Sequence, residues 1–435
     1  MMVLVLLALS ACAPKAPPAP PDPVDPAQVA SFDFAWQRIA DTYPYPDFKG
    51  VDWAAAREEL RPRAMEADSA EALRPVLTEL LGRLGESHFQ VIPAVAYETV
   101  YDADGIDLTE EDVAGPAAPG LALRLVDEAL VVFRVAPGSA AAEAGVAPGW
   151  VLTDIAGTDT AALLDSLADL PLEGRRETLA AIAAHARLQG TPGSAVDLTF
   201  RDGSDAEVAL HLERRAAAGE LVQFGHLPPQ RVRFEHAVAD GVGTARFNVF
   251  MTSIVPGLEA AVTEFVEAGV EGVILDLRGN PGGIAGLASG VTGFFVDAPG
   301  MSLGTMVTRE GELRFQVFPR PPSQRFTGPV AVLVDELSLS TSEILAAGLK
   351  ANGRARLFGV TTGGMALPSR IEALPNGDRL QYAFADLLDP DGARVEGQGV
   401  TPDVSAPLTR DALLAGLDPA HAAAVCWIRP SEECP

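Results

Sequence analysis

Apolar positions along this chain follow three different rhythms. Between residues 26 and 94 the spacing is helical. Phe32, Phe34, Trp36, Ile39 and Tyr43 sit at mixed intervals, and Leu73, Val76, Leu77, Leu80, Leu81 and Leu84 trace one face in steps of three and four. Gly85 predicts the end of that helix, so His88 falls on a loop just past it. From 116 to 215 the pattern shortens to β-type runs: LALRLV, LVVFRVA, WVLTDIAG, AVDLTFRDG and AEVALHLERR. A small-residue helix framed by Pro and Gly lies among them over 137–149, and 158–193 reads as an inserted helix pair. From 223 onward strands and helices alternate. VGTARFNVF and the continuous runs GVILDLRG and PVAVLVDE read as strands, with Leu258, Ala261, Val262, Phe265 and Val266 on one helix face between the first two. After GVILDLRG, NPGGIAGLASGVTGFF is expected to turn into a helix. Such alternation implies right-handed crossovers and a largely parallel sheet, with ligand sites beyond the carboxyl ends of its strands.

Both Asn280-Pro281-Gly282-Gly283 and the serine-rich stretch 338–342 occupy such strand ends. Ser340 stands where a buried strand gives way to a helix. Free N–H groups and a partial positive charge at a helix N-terminus stabilise a nearby anion, which a nucleophile with an oxyanion site requires. The same residues also suit a plain helix cap, with Glu343 closing a capping box on Ser340.

At 435 residues the chain exceeds one ordinary core, so several domains are expected. A net charge of −27 argues against nucleic acid as a partner and against polybasic attachment to anionic lipid. No metal-ligand spacing of His, Cys, Asp or Glu occurs, and no metal or other cofactor is expected. The opening residues differ from the rest. Their apolar run ends in Leu9-Ser10-Ala11-Cys12, which resembles a bacterial lipobox and implies lipidation of Cys12, although no Lys or Arg precedes the run. A Pro-rich tether follows. Cys426 and Cys434 suit either a short disulfide loop or two free thiols.

Gly120-Leu121-Ala122-Leu123, the helix motif from Pro137 and Asp154-Ile155-Ala156-Gly157 together resemble a PDZ domain. That resemblance implies that Gly120, Leu121, Ala122 and Leu123 hold a peptide C-terminus by β-augmentation. After this module come Asp276-Leu277-Arg278-Gly279-Asn280-Pro281-Gly282-Gly283, then Ser340-Thr341-Ser342-Glu343, then Glu396-Gly397-Gln398-Gly399-Val400-Thr401-Pro402-Asp403. In that order they resemble the C-terminal processing (tail-specific) serine proteases. The resemblance implies Ser340 as nucleophile and the N–H groups of Gly283 and Thr341 as oxyanion donors. One branch of the family uses a Ser-Lys dyad, and here Met365 occupies the lysine position. Lys350 is no substitute, since it lies about 15 Å along the helix from Ser340. The chain instead carries Leu84-Gly85-Glu86-Ser87-His88 and Glu396, which is similar to the tricorn-like branch, where histidine serves as base. That implies His88 as general base, with Ser87 and Glu396 completing the set.

The expected fold is multidomain α/β: a crotonase/ClpP-like protease core, a PDZ-like β-rich module and an N-terminal helical region. Expected boundaries are a signal peptide with lipobox (1–12), a Pro-rich tether (13–27), the helical region (28–105), the PDZ-like domain (116–216), the core (223–410) and a C-terminal tail (411–435). The expected function is serine endopeptidase action on protein or peptide tails by an exported bacterial lipoprotein, on the periplasmic side of a membrane or at the cell surface. The alternatives are an inactive family member that binds peptides through the PDZ-like groove, and a relative that binds retinoids or lipids.

Overall fold

A computed structural model describes residues 26–96, 117–168, 175–431 and 434. Cys12 and the tether to residue 25 lie outside the described residues. The architecture is mixed α/β with several sheets.

Three helices, α1 (Pro26–Thr42), α2 (Trp53–Glu66) and α3 (Ala70–Gly82), form the N-terminal region. Asp52 and Ser69 start α2 and α3 by accepting hydrogen bonds from the N–H groups of Ala55 and Ala72. Their apolar faces bury Phe32, Ile39, Leu60, Leu77 and Leu80 against Leu374, Leu380 and Tyr382 of a distant hairpin. Strand Gln90–Ile92 pairs antiparallel with Arg379–Ala383 of that hairpin, so segments far apart in sequence share one small sheet. Between α3 and this strand the backbone turns through Gly85 (φ 64°) and His88 (φ 62°).

The second region is an antiparallel sheet in the order Leu121–Val126, Ala129–Val135, Val151–Ile155, Ala195–Arg201, Glu207–Glu213. It carries α4 (Ala140–Glu143), α5 (Thr160–Ala168) and α6 (Arg176–Leu188). Leu121–Val126 is an edge strand. Helix α6 packs Ala180, Ala184 and Leu188 into the same apolar cluster as Leu123, Val132 and Leu152.

The third region holds a six-stranded sheet: Phe234–Ala239, Val242–Phe247, Gly272–Asp276, Val330–Val334, Arg356–Gly359 and Val404–Ser405, in that order. The first pair is antiparallel and every later pair is parallel. Strict alternation decides which face each side chain enters. Val273, Leu275, Val332, Val334 and Leu357 face α7 (Ile254–Glu267), α8 (Gly286–Thr292) and α9 (Thr341–Ala351). Ile274, Ala331, Leu333 and Phe358 face the other way. The stretch beyond residue 409 forms two short helices. Leu413 of α10 (Arg410–Leu414) packs with Val126, Val131, Phe133 and Val151, and α11 (Pro419–Ile428) covers the second face of the parallel sheet through Ala420, Ala424 and Ile428. A disulfide joins Cys426 on α11 to Cys434.

One local expectation is corrected. Val266 is 46 % exposed, because Leu258, Ala261, Val262 and Phe265 already fill the buried stripe of α7 and Val266 falls beyond its edge. Helix α8 begins six residues after Asn280, because the intervening chain runs against Phe250: Phe250 N–H donates to Gly282 O, and Ile284 N–H donates to Phe250 O. Among the described residues, no helix is long and apolar enough to cross a membrane.

Candidate active site

Strands Gly272–Asp276 and Val330–Val334 are parallel neighbours, so the loops at their carboxyl ends meet. The first loop is pinned at its base. Arg278 forms ion pairs with Asp276 and Asp418. Burial alone would raise the Asp276 carboxyl, but Arg278, Arg134 and Arg246 together hold it well below the usual carboxylate range. Asn280 is fully buried and fixes the glycine turn. Its Nδ2 donates to Phe247 O at 2.9 Å and its Oδ1 accepts from Gly282 N–H at 2.9 Å. Its carbonyl accepts from Leu339 N–H and Ser342 Oγ, which fastens the turn to the serine-rich loop.

Ser340 is the N-cap residue of α9 and has φ 55° and ψ −115°. A non-glycine residue in that region stores roughly 1–3 kcal/mol of strain. Buried Glu343 compensates. Its carboxylate accepts hydrogen bonds from the N–H groups of Ser340 (2.9 Å), Gly364 (2.8 Å) and Met365 (3.0 Å) and from Thr362 Oγ1 (2.6 Å). Burial pushes this carboxyl up to about 7 in spite of those four donors. Glu343 is therefore both half of the capping box and the clamp on loop 362–365. Met365 occupies that loop, and its carbonyl accepts from Ser340 N–H at 2.9 Å.

The glycine turn lies directly against Ser340. Gly282 has φ 95°, and a Cβ built there would sit 2.7 Å from Ser340 Cβ and 2.8 Å from Thr341 N. Gly283 has φ 136°. Among the described residues, the N–H groups of Gly283 and Thr341 donate to no acceptor. Thr341 Oγ1 donates to Gly283 O at 3.2 Å, which holds the two residues side by side.

Residues from the other end of the chain form a second constellation. Glu396 is buried, and its carboxylate accepts four hydrogen bonds. Oε1 takes Ser87 N–H (3.0 Å) and Arg175 Nη2 (2.8 Å); Oε2 takes Ser87 Oγ (2.8 Å) and Ala366 N–H (2.8 Å). Ser87 Oγ also lies 2.7 Å from His88 Nδ1. A hydroxyl has one proton, and here it goes to the carboxylate. Ser87 must then accept from His88 Nδ1–H, which leaves the Nε2 lone pair of a neutral imidazole free. Burial lowers the His88 pKa from its ordinary value, with Glu396 opposing the shift and Arg175 adding to it. The two constellations meet at residues 365 and 366: Met365 O holds Ser340 and Ala366 N–H holds Glu396.

Flanking residue Glu86 fastens the histidine loop to the core. It accepts from Tyr43 Oη at 2.7 Å and pairs with Lys49 and with Arg394, which in turn pairs with Asp386. Lys350 points elsewhere, donating to Thr401 O. In the β-rich region, Leu123 N–H on the free edge donates to His185 Nε2 at 3.1 Å. A cavity of about 330 Å³ lies between that region and the core, lined in part by Arg124, Glu177, Glu336, Thr361 and Leu408, and does not include Ser340 or His88. Among the described residues, no group of three or more His, Cys, Asp or Glu side chains could hold a metal ion.

The structure brings Ser340, Gly283 and Thr341 together in one constellation and Ser87, His88 and Glu396 in another. Arg175 has no motif of its own, and the clamp role of Glu343 goes beyond a helix cap.

Residues 241–406 match peptidase family S41, and residues 29–82 match the tricorn protease C1 domain. Carboxyl-terminal-processing peptidase 3, chloroplastic, of Arabidopsis thaliana is 28% identical over 384 residues, covering 85% of this chain and 67% of that protein. A carboxyl-terminal-processing protease of Picosynechococcus is 25% identical over 378 residues, covering 86% and 82%. The fold is similar to the photosystem II D1 C-terminal processing protease, with a TM-score of 0.62 at 23% identity, covering 95% of this chain and 99% of that one. It is also similar to mature CPAF, with a TM-score of 0.62 at 13% identity, covering 94% and 100%.

Proposed function

Because this chain belongs to peptidase family S41, we propose that it is a serine endopeptidase that cleaves protein or peptide tails through an acyl-enzyme on Ser340, with His88 as general base. The observation that carries this reading is the line Glu396–Ser87–His88, whose hydrogen bonds leave His88 Nε2 as the free acceptor. Ser340 Oγ attacks the scissile carbonyl carbon while Nε2 takes its proton. The imidazolium then gives that proton to the leaving amine, and water repeats the sequence in reverse. The Gly283 and Thr341 N–H groups, free of other acceptors, receive the developing oxyanion; one such donor is worth about 3 kcal/mol. Glu396 stabilises the imidazolium through Ser87. The match of residues 29–82 to the tricorn C1 domain supports the tricorn-like branch and hence histidine in place of lysine.

The β-rich region serves as a PDZ-like module (116–216), with Gly120 just before, and Leu121, Ala122 and Leu123 on, the edge strand that receives a substrate tail. The parallel sheet with its flanking helices (223–410) serves as a crotonase-like protease core. Lipidation at Cys12 would tether the exported enzyme to a membrane.

Met365 favours a second reading, an inactive tail-binding lipoprotein. A fluorophosphonate probe separates the two. Covalent labelling of wild-type protein that disappears in Ser340→Ala supports the peptidase. Absence of labelling in a folded wild type rejects it.

A further inference from the structure

Arg175 stands at the N-cap position of α6, yet its side chain makes no cap hydrogen bond there. It leaves the β-rich module and enters the core, where Nη2 meets Glu396 Oε1 at 2.8 Å. Both groups are buried: the side chains are 8% and 0% exposed. Room for the guanidinium comes from Gly397 (φ 82°), where an added Cβ would lie 3.3 Å from Arg175 Nη2. Among the described residues, Arg175 is the one cation paired with the Glu396 side chain.

Other charged groups around this carboxylate act elsewhere. Arg394 reaches only the Glu396 backbone carbonyl, at 3.3 Å, and its charge is spent on Asp386 and Glu86. Glu343 accepts instead from the Gly364 and Met365 N–H groups. His88 completes the set through Ser87. Docking of the module does not require Arg175, because Arg124 already pairs with Asp335 at 2.6 Å and Thr178 Oγ1 donates to Glu336 O.

We propose that Arg175 is a positioning residue of the catalytic relay: supplied by the β-rich module, it holds Glu396 where the carboxylate can orient Ser87 and, through Ser87, His88. This rests on the reading of Ser340 and His88 given above. Its content is that the protease core is incomplete without the module. A carboxylate held by three neutral donors and one buried cation stays fixed in position. Take the cation away and the carboxylate swings toward other donors, and Ser87 no longer fixes the imidazole tautomer. His88 also loses a cation that helps hold its pKa down, so it binds a proton more readily. That moves the acid limb of activity upward.

The test is the rate at which a fluorophosphonate labels Ser340 between pH 5 and 9 in the wild type, Arg175→Met and Arg175→Lys. We expect Arg175→Met to label about 100-fold more slowly at pH 7, with its acid limb displaced upward, and Arg175→Lys to recover much of the rate with a smaller displacement. If Arg175→Met fails to fold, Arg175→Lys carries the comparison, because a shorter ammonium that keeps the charge must still displace the limb part of the way. A wild-type rate in Arg175→Met overturns the proposal. So does a slower rate with an unmoved acid limb, in Arg175→Met or, where that variant does not fold, in Arg175→Lys: such a change is structural only. A folded wild type that takes no label overturns the reading of Ser340 itself, and the role of Arg175 with it.

Discussion

Gly282 leaves no room for a side chain. The Cβ of Gly282→Ala would meet Ser340 Cβ and the Thr341 backbone below 3.0 Å, in a conformation (φ 95°) that alanine resists. We expect that variant to fold but to lose about 100-fold or more in kcat/KM, read on a fluorogenic peptide, because the turn carrying the Gly283 donor must move. Glu343 gives a pH signature. Its folded-state pKa, about 7, lies above the ordinary value of 4.5, so its stabilising contribution is complete below pH 4.5 and is lost as pH rises to about 7. Denaturant titrations should therefore show wild type losing stability relative to Glu343→Gln across that window, and a constant difference above it. His88 gives the opposite kind of expectation for rate. Burial lowers its pKa from the ordinary 6.5, so under the proposed mechanism the acid limb of kcat/KM should fall below pH 6.5. Residue identities were readable where chemistry is written into short motifs, as at Ser340 and in Leu84 to His88. Arg175 was not readable, because its partner lies 221 residues away and an arginine opening a helix is unremarkable by itself.

Among the elements, α11 owes its start to Asp418, which accepts from His421 N–H and also pairs with buried Arg278 behind the glycine turn. Asp418→Ala removes a cap and half of the counter-charge on Arg278. We expect a loss of about 2–3 kcal/mol in chemical denaturation, with a smaller effect on peptide cleavage than Gly282→Ala. Helices with clean apolar faces, such as α3 and α7, were legible from periodicity alone. The start of α8 was not, because the hydrogen bonds that hold residues 280–284 in an open turn come from Phe250 on another segment. Val266 shows the same limit: the period marks a stripe but not its width. The polar cluster of Tyr43, Glu86, Arg394 and Asp386 was also invisible in sequence, since it draws on the N-terminal helices, the histidine loop and the core at once.

At the scale of the whole molecule, the site belongs to no single region. Ser340 comes from the core, His88 from the loop after α3, Arg175 from the β-rich module and Glu396 from near the end of the parallel sheet. A fragment beginning at residue 223 would lack both His88 and Arg175 and would uncover Leu374, Leu380 and Tyr382, which the N-terminal helices bury. We expect it to aggregate at concentrations where the full chain stays monodisperse by light scattering, and to take no fluorophosphonate label. Region order was legible from the change of rhythm along the chain; the pairing of Gln90–Ile92 with Arg379–Ala383 was not, because strand partners so far apart leave no local trace. That interleaving also bears on biosynthesis. A ribosome delivers His88 well before Glu396, so under the proposed mechanism a growing chain that has not reached residue 396 lacks the carboxylate that orients its base. Cutting power would then arise only after that residue is made, and products arrested before it would be harmless to their neighbours.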